Sequence, residues 1–345
     1  MDKITFTAFS DMHYKKGMYS TTVADLLAVI DRAKAAKSDF MVHCGDMCND
    51  YKGSAELLNP YLNSGIPVYG VYGNHELESV ENSMDKVTPK LTNDEVCWGT
   101  ADGKIGDGSI AYYYKDIGVF RIIGTDTNYS WNPKEGIWEH NTTCSYGPPA
   151  GNMYCNSLGP VQFAWLENLL IASAKEGKKC IILSHASYIG EISNGTGDWE
   201  AVDRLFQRVN AMKKGTVMMA INGHYHTNRI FMKNNIVYFD VNTTRNIWWQ
   251  IESETHYTSG MGQEVETVDE NGNITGTHWI DYTELWMEPH TWFTDDPLSA
   301  VVTVTDEGDI NIEGTESNWA YGLVPAKKHP VCEPRISNAN FKIKL

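Results

Sequence analysis

The sequence predicts an α/β fold in which helices cover a mixed sheet. The first ~75 residues alternate strand, helix, strand, helix, strand, an order that is typical of βαβ units. The strands are predicted from nearly continuous apolar runs, and the first helix from apolar residues at helical spacing. The runs cover residues 4–9, 40–44, 68–72, 180–183 and 217–221, and the helical face is formed by Val23, Leu26, Leu27, Ile30 and Ala33.

Turn signals and apolar periodicity predict the remaining elements. We expect a hairpin from residues 112–114 and 119–124, and a long surface excursion over 128–159, which is rich in Gly, Pro, Asn and Trp. Helices are predicted from Pro160 onward and over 199–212, and a closing strand pair over 300–305 and 309–312. The chain is interpreted as one domain over residues 1–345, with a motif-bearing core at about 4–241, an aromatic-rich extension at about 245–297 and closing strands at about 298–345.

The composition indicates a soluble globular protein. Of the 345 residues, 42% are hydrophobic and 21% are charged, and no apolar run approaches the ~20 residues that span a bilayer. The formal net charge of −16 argues against a nucleic-acid polymer or an anionic membrane as a partner, because both are bound through excess Lys and Arg. The N-terminus lacks the pattern of a secretory signal. We therefore expect a cytoplasmic protein, or a secreted or periplasmic one if a leader has been removed.

Two further points stay open in the sequence. Seven cysteines are present, and Cys144 and Cys155 would form a disulfide only in an oxidising compartment. A homo-oligomer is compatible with the sequence but is not indicated by any motif.

A short polar cluster directly follows each of the five apolar runs. Functional groups in open α/β sheets gather beyond the carboxyl ends of the strands, so we expect these clusters at one rim. They read Asp11-Met12-His13, Gly45-Asp46-Met47-Cys48-Asn49-Asp50, Gly73-Asn74-His75-Glu76, Ser184-His185 and Gly223-His224-Tyr225-His226. A lone histidine is usually an ordinary core or surface residue. Five such clusters at strand ends together predict a metal site.

The residue types indicate which metals would bind. Asp, Asn and neutral His suit Mn, Fe or Zn, whereas an all-oxygen site would suit Mg or Ca. His224 and His226 would point the same way on a strand, but on a loop they can reach two adjacent ions. Two divalent transition-metal ions ~3.5–4 Å apart can hold an anionic substrate and supply a bridging hydroxide. His75 is a candidate proton donor to the leaving group, with Asn49 or Asp50 orienting its ring.

The order of these motifs resembles that of the calcineurin-like metallophosphoesterases. The resemblance covers roughly residues 4–241 through Asp-x-His, Gly-Asp-x-x-Asn, Gly-Asn-His-Glu, His and Gly-His-x-His. It implies a two-sheet β-sandwich flanked by helices, with a dinuclear metal centre at the strand ends and His75 as the proton donor. Carried over by motif, it implies one ion bound by Asp11, His13 and His226, a second bound by Asn74, His185 and His224, and the Asp46 carboxylate as a bridge between them.

Departures from the family's better-known branches narrow the expected activity. Purple acid phosphatases have a tyrosine at the position of Asn49, and serine/threonine protein phosphatases have an Asp-Arg-Gly segment where Asp50 is followed here by Tyr51-Lys52-Gly53. The chain therefore resembles the bacterial-type group that acts on small phosphoric esters. We expect phosphodiesters to be slightly preferred. A phosphomonoesterase or nucleotidase using the same site, and a non-catalytic scaffold of the same fold, are the alternatives.

Substrate specificity is predicted to lie in the two excursions. The aromatic-rich extension offers stacking faces for a nucleobase or an apolar ester group, although the same side chains would equally well cover a sheet or form a dimer interface. Arg229 and Arg245 follow the last metal motif and are candidates to bind the phosphate. For each of them, a structural ion pair is the commoner role.

Overall fold

Two mixed β-sheets lie face to face between two pairs of helices. This computed structural model describes residues 2–14, 21–49, 55–77, 92–99, 111–132, 134–140, 157–189, 196–247, 262–268, 274–281, 292–322, 325 and 331–345. Cys144 and Cys155, whose pairing the sequence leaves open, lie outside the described residues, and so does most of the aromatic-rich extension.

The helices and strands have the following bounds in chain order. The helices are α1 (Val23–Ala35), α2 (Ala55–Leu62), α3 (Gly159–Glu176) and α4 (Trp199–Met212). The strands are β1 (Lys3–Phe9), β2 (Phe40–His43), β3 (Val68–Gly70), β4 (Cys97–Trp98), β5 (Tyr113–Ile117), β6 (Phe120–Gly124), β7 (Tyr129–Asn132), β8 (Ile137–His140), β9 (Lys179–Leu183), β10 (Val217–Asn222), β11 (Arg229–Lys233), β12 (Ile236–Asp240), β13 (Asn246–Ile247), β14 (Gly262–Val268), β15 (Ile274–Asp281), β16 (Trp292–Phe293), β17 (Ala300–Thr305), β18 (Asp309–Gly314) and β19 (Ala339–Lys342).

The first sheet has six strands in the order β19-β18-β17-β1-β2-β3. Strands β1, β2 and β3 run parallel, and β17 pairs antiparallel with β1 from Lys3↔Thr305 to Ala8↔Ala300. The last third of the chain therefore completes the sheet that the N-terminus begins.

The second sheet has seven strands in the order β11-β12-β10-β9-β6-β5-β4. Its centre is parallel, since β9 lies between β6 and β10 and runs in the same direction as both. The predicted hairpin of β5 and β6 is confirmed, and so is the closing pair of β17 and β18.

The helices begin and end where their sequences signal it. Helix α1 begins after Thr22, whose side chain accepts a hydrogen bond from the backbone N–H of Asp25 while the Asp25 carboxylate accepts one from Thr22. Helix α3 carries Pro160 in its first turn and ends at Gly177, whose φ of 74° suits glycine. Helix α4 has the predicted bounds.

Alternate residues of β9 face two different cores. Ile181 and Leu183 pack in the core between the sheets, whereas Cys180 and Ile182 pack with residues of α3 and α4. A nearly continuous apolar run correctly reports burial on both faces. It does not say whether a helix or a second sheet covers each face. The apolar pattern alone predicted helices covering a mixed sheet, whereas the structure has two mixed sheets packed together. The two-sheet sandwich implied by the family resemblance is confirmed.

No helix in the described part of the chain is both long and apolar enough to cross a membrane. Residues 128–159 contain the β7–β8 hairpin, so part of the predicted excursion has regular structure. The expected domain boundaries stay predictions.

Candidate metal centre

The predicted ligands come together where the two sheets meet. They follow the carboxyl ends of β1, β2 and β3 in the first sheet and of β9 and β10 in the second. Most are buried, and Asn74 and His224 are partly exposed. The side chains brought together are Asp11, His13, Asp46, Asn74, His75, His185, His224 and His226.

The backbone at these motifs is left-handed. The φ angle is 52° at Asp11, 50° at His13, 52° at Asp46, 71° at His224 and 52° at His226. Outside glycine this conformation is uncommon and costs on the order of 1–3 kcal/mol for each residue. Backbone strain of this kind concentrates at functional sites, and here it turns the chain sharply as each segment leaves its strand.

Glycines beside the ligands leave room for ligand side chains. A Cβ atom on Gly45 would collide with the ring of His185, one on Gly73 with the carboxylate of Asp46, and one on Gly223 with Ser10 and Asp11. Gly45 also has a φ of 94°, which strongly favours glycine. These three motif glycines are therefore required by close packing at the centre.

The first cluster consists of Asp11, His13 and His226. Asp11 Oδ1 is 3.2 Å from His226 Nε2 and 3.8 Å from His13 Nε2, and the two Nε2 atoms are 3.1 Å apart. Asp11 is further held because its carboxylate accepts a 2.5 Å hydrogen bond from Ser10 Oγ.

The second cluster surrounds Nε2 of His185. Asp46 Oδ2, His224 Nδ1 and Asn74 Oδ1 each lie 3.1 Å from this atom. Asp46 Oδ2 is also 3.7 Å from His13 Nε2, so this carboxylate connects the two clusters. His224 and His226, two residues apart, thus belong to different clusters.

Hydrogen bonds fix which ring nitrogen of three histidines faces the centre. In each of them Nδ1 donates to an oxygen outside the cluster, and a neutral imidazole has only one N–H. Nε2 is therefore the atom that faces the centre, and in a neutral ring it carries the lone pair that can bind a metal ion. Nδ1 of His13 donates to Asn49 Oδ1 at 3.0 Å, that of His185 to the Cys44 carbonyl at 2.7 Å, and that of His226 to the Asn246 carbonyl.

This arrangement fits metal ions. The lone pairs on Nε2 of His13 and His226 would repel each other at 3.1 Å unless a cation lies between them. Metal–nitrogen bonds of ~2.0–2.1 Å bring neighbouring ligand atoms of one ion to about this separation. Such outside hydrogen bonds to the second ring nitrogen are also typical of metal-binding histidines.

In the metal-free centre, most of the candidate ligands already have the charge state that metal binding requires. Burial opposes ionisation of Asp11 and Asp46, but nearby histidines outweigh it and lower the pKa of both carboxyls, that of Asp11 to about 2. Burial lowers the pKa of His13, and that of His224 to about 3, which keeps both rings neutral. At His185 the effect of Asp46 outweighs burial and raises the pKa to about 10. A metal ion at the second cluster would displace that proton.

Glu76 joins the two loops that carry Asp46 and Asn74. Its buried carboxylate accepts hydrogen bonds from the backbone N–H groups of Asp46 at 2.9 Å, Met47 at 2.5 Å and Gly73 at 2.6 Å. Burial and the Asp46 carboxylate raise the pKa of Glu76 to about 7. The sequence analysis quoted Glu76 as part of a motif but gave it no role.

His75 lies against the first cluster. Its ring meets that of His13 edge-on, with centroids 4.6 Å apart, and its backbone N–H donates to Asp46 Oδ1 at 2.8 Å. Its side chain also falls in a third possible ligand group with His13 and Asp46. Its position is thus compatible with proton donation or with ligation.

The remaining candidates have these contacts. Asn49 contacts the ring of His13, and its expected role beside His75 stays a prediction, while Asp50 lies outside the described residues. Arg229 is 3.7 Å from the Asp240 carboxylate and Arg245 is 3.5 Å from that of Asp25. Their expected role in phosphate binding likewise stays a prediction.

A sixth strand end at the rim was missed. Thr125, Asp126, Thr127 and Asn128 directly follow β6, which runs parallel to β9, and all four are buried. The signal was present, because a run over 119–123 that is apolar except for Arg121 precedes this Asp- and Asn-containing segment, much as in the other five clusters. It was overlooked because it contains no histidine.

The fold and the clusters together define an α/β metal-dependent hydrolase with paired His/Asp metal sites at the strand ends. The sequence model described as calcineurin-like phosphoesterase matches residues 4–228. The chain therefore belongs to the calcineurin-like phosphoesterase family and is a metallophosphoesterase. No curated protein sequence matches the chain.

Comparison with solved structures finds similar chains at low sequence identity. A dimetal phosphatase from Danio rerio has a TM-score of 0.51 at 15% identity, over 92% of this chain and 98% of that one. GAP50, the anchor in the inner membrane complex of Plasmodium, has a TM-score of 0.47 at 12% identity, over 99% and 90%. The calcineurin-like phosphoesterase YfkN from Bacillus subtilis has a TM-score of 0.39 at 12% identity, over 81% and 90%.

Proposed function

We propose that this chain hydrolyses small phosphoric esters with two divalent transition-metal ions, Mn, Fe or Zn, and prefers phosphodiesters slightly over monoesters. The observation that carries the proposal is the pair of clusters joined by Asp46, in which imidazole nitrogens and carboxylate oxygens converge. Two such positions side by side suit a substrate whose phosphoryl group must be held and attacked at once.

Each cluster would hold one ion. Asp11, His13 and His226 would bind the first, and Asn74, His185 and His224 the second, with Asp46 shared. When bound, the ions supply a hydroxide at neutral pH and neutralise charge on the phosphoryl oxygens. The side chains of the two clusters hold the metal-binding atoms in place before the substrate binds.

His75 would donate the proton that the leaving alkoxide needs. Its backbone N–H is held by Asp46, and its ring lies beside that of His13 at the edge of the first cluster. A positioned imidazole typically contributes ~10²–10⁴-fold to such a step.

The preference for diesters is supported by charge. A phosphomonoester carries up to two negative charges at neutral pH and a diester only one, so a monoesterase gains more from extra cationic side chains. The second motif has no arginine after Asp50, and both predicted phosphate-binding arginines contact carboxylates.

The proposal is tested by loading the metal-free protein with Mn, Fe or Zn and assaying bis(4-nitrophenyl) phosphate beside 4-nitrophenyl phosphate. We expect turnover of both, faster for the diester, and its loss with a chelator. Faster turnover of the monoester would favour the phosphatase or nucleotidase alternative. Stable binding of two ions without turnover of either ester would favour the scaffold.

A further inference from the structure

The segment between β12 and β13 packs against the loops that carry the metal motifs. It covers residues 241–246, which we call the support loop, and it is mostly buried. At one end Val241 N–H donates to the Asn222 carbonyl at 2.7 Å, directly before the last metal motif. At the other end the Asn246 carbonyl accepts from Nδ1 of His226. The support loop belongs to none of the metal motifs, and the sequence analysis gave it no role beyond naming its one arginine as a candidate for phosphate binding.

The fully buried side chain of Thr243 connects two parts of the first cluster. Its hydroxyl donates to the Asp11 carbonyl at 2.7 Å and accepts from the Asn246 N–H at 3.1 Å. A hydroxyl carries one donor and two acceptor lone pairs, so it can make both hydrogen bonds at once. One side chain therefore joins the backbone of Asp11 to the residue whose carbonyl orients the ring of His226.

The backbone of Asp11 is held from both sides. Its N–H donates to the Gly45 carbonyl at 3.0 Å, and its carbonyl accepts from Thr243. Asp11 has a φ of 52°, and a left-handed conformation at a residue other than glycine persists only where its surroundings enforce it. Without the Thr243 hydroxyl, a buried carbonyl would lose this donor at the very residue that offers a carboxylate to the first ion.

Asn246 uses both of its backbone groups in this connection. Its N–H donates to Thr243, and its carbonyl accepts from His226. Asn246 also pairs with Phe293 in the small sheet of β13 and β16. The position of the His226 ring thus depends on a residue that is fixed by β16 on one side and by Thr243 on the other.

We propose that Thr243 is a positioning residue for the first metal ion, and that its hydroxyl sets the relative position of Asp11 and His226. The inference rests on the proposed function, because it concerns the same metal centre. The hydroxyl acts through two backbone groups rather than by binding the ion. In the part of the chain that the structure describes, Thr243 makes no hydrogen bond to a predicted ligand of the second ion. Its effect should therefore be concentrated at the first.

The test measures both metal affinities in Thr243→Val, which keeps the shape of the side chain and removes its hydroxyl. Zn²⁺ is competed against a chelator, starting from the metal-free protein. The affinity for the first ion should fall about tenfold, as is typical when a partner outside the ligand shell is lost. The second should change much less, because Asp11 contacts that cluster only through the backbone N–H of His224. Thr243→Ser, which retains the hydroxyl, should restore the wild-type affinity.

Thr244→Val is the matched control at the next residue of the support loop. Thr244 is also fully buried, and its hydroxyl donates to the Ser10 carbonyl at 2.9 Å. The backbone N–H of Thr244 donates to the same carbonyl at 2.9 Å, so that carbonyl keeps a donor in the variant. Both valine variants lose a buried hydrogen bond and should lower the thermal unfolding midpoint of the metal-free protein. Only Thr243→Val should weaken the first ion, which separates positioning from general stability.

Two further variants sharpen the result. Asn74→Ala removes a predicted ligand of the second ion alone, so the loss caused by Thr243→Val should persist in that background, which assigns the loss to the first ion. If Thr243→Val does not fold, Thr243→Ala removes the same hydroxyl without placing a methyl group against the Asp11 carbonyl. It should give the same selective loss.

The role of Thr243 is overturned by an unchanged affinity for the first ion, by an equal loss at both ions, or by an equal loss in Thr244→Val. Failure of Thr243→Ser to restore the affinity would also overturn it. The proposed function fails in a different way. Two bound ions without turnover of either ester would refute it and leave the affinity comparison intact, whereas a wild-type protein that binds no ion would refute both.

Discussion

The two clusters use the same residue types but differ in how closely the protein surrounds them. Asp11, His13 and His226 are all at most 2% exposed, and both histidines are anchored through Nδ1. In the second cluster Asn74 and His224 are partly exposed, and His224 turns Nδ1 toward the centre. A fully enclosed position suits a permanently held ion, whereas one that faces solvent suits exchange and substrate entry. We therefore expect the first ion to be bound more tightly.

Asp46→Asn should have the largest effect, because it changes the carboxylate that connects both clusters. We expect weaker binding of both ions and a loss of turnover of more than about a thousandfold, corresponding to several kcal/mol of charge stabilisation. Elemental analysis after dialysis gives the metal content. Unchanged occupancy of two ions per chain would rule out the shared position of Asp46.

His75→Ala should lower turnover without removing either metal ion. We expect both ions to remain and kcat to fall by about 10²–10⁴-fold on esters with poor leaving groups. Bis(4-nitrophenyl) phosphate, whose leaving group needs little protonation, is the internal control and should lose much less. Loss of an ion would instead make His75 a ligand.

Asn49→Ala should weaken the first cluster alone. Without Asn49 as the acceptor for Nδ1, the ring of His13 loses its orientation. Removal of the hydrogen-bond partner of a metal-binding histidine typically costs about 10–100-fold in metal affinity. Competition with a chelator measures the two affinities separately, and Asn63→Ala, at an exposed asparagine beyond α2, is the matched control. A loss shared equally by both ions would mean that the clusters do not respond independently.

The pH dependence of metal binding should differ between the clusters. In the metal-free protein the pKa of His185 is raised to about 10, so below that pH the second ion must displace one proton. Its affinity should rise about tenfold for each unit of pH between 6.5 and 8.5. Asp11 and His13 have lowered pKa values and release no proton in this range, so the first ion should show a shallower dependence. Calorimetry in two buffers of different ionisation enthalpy counts the protons, and equal slopes would remove this distinction.

The site was more predictable from sequence than the architecture around it. Apolar runs ending in Asp, Asn or His at 9–13, 44–50, 72–76, 183–185 and 221–226 located every candidate ligand of the two clusters, because strand ends are local features. Which ring nitrogen faces the centre depends on distant acceptors such as the Asn246 carbonyl, and no local pattern contains that information.

The sheet partners of the strands could not be predicted for a similar reason. The pairing of β1 with β17 joins residues about 300 positions apart in the chain, and burial patterns alone do not choose among antiparallel neighbours. The role of Glu76 also depended on three-dimensional closeness, because its carboxylate receives N–H groups from a loop about 30 residues earlier.

Strand β1 lies between β2 and β17. Because β17 is made about 300 residues after β1, this pairing affects when the site can form during biosynthesis. While the chain is still emerging from the ribosome, all of the metal motifs are complete well before residues 300–305 have been made. Until then β1 has an open edge, and the segment bearing Asp11 and His13 lacks the support of its final neighbour. Stable capture of metal should therefore follow synthesis of β17, and truncation before β17 should leave chains that acquire little metal.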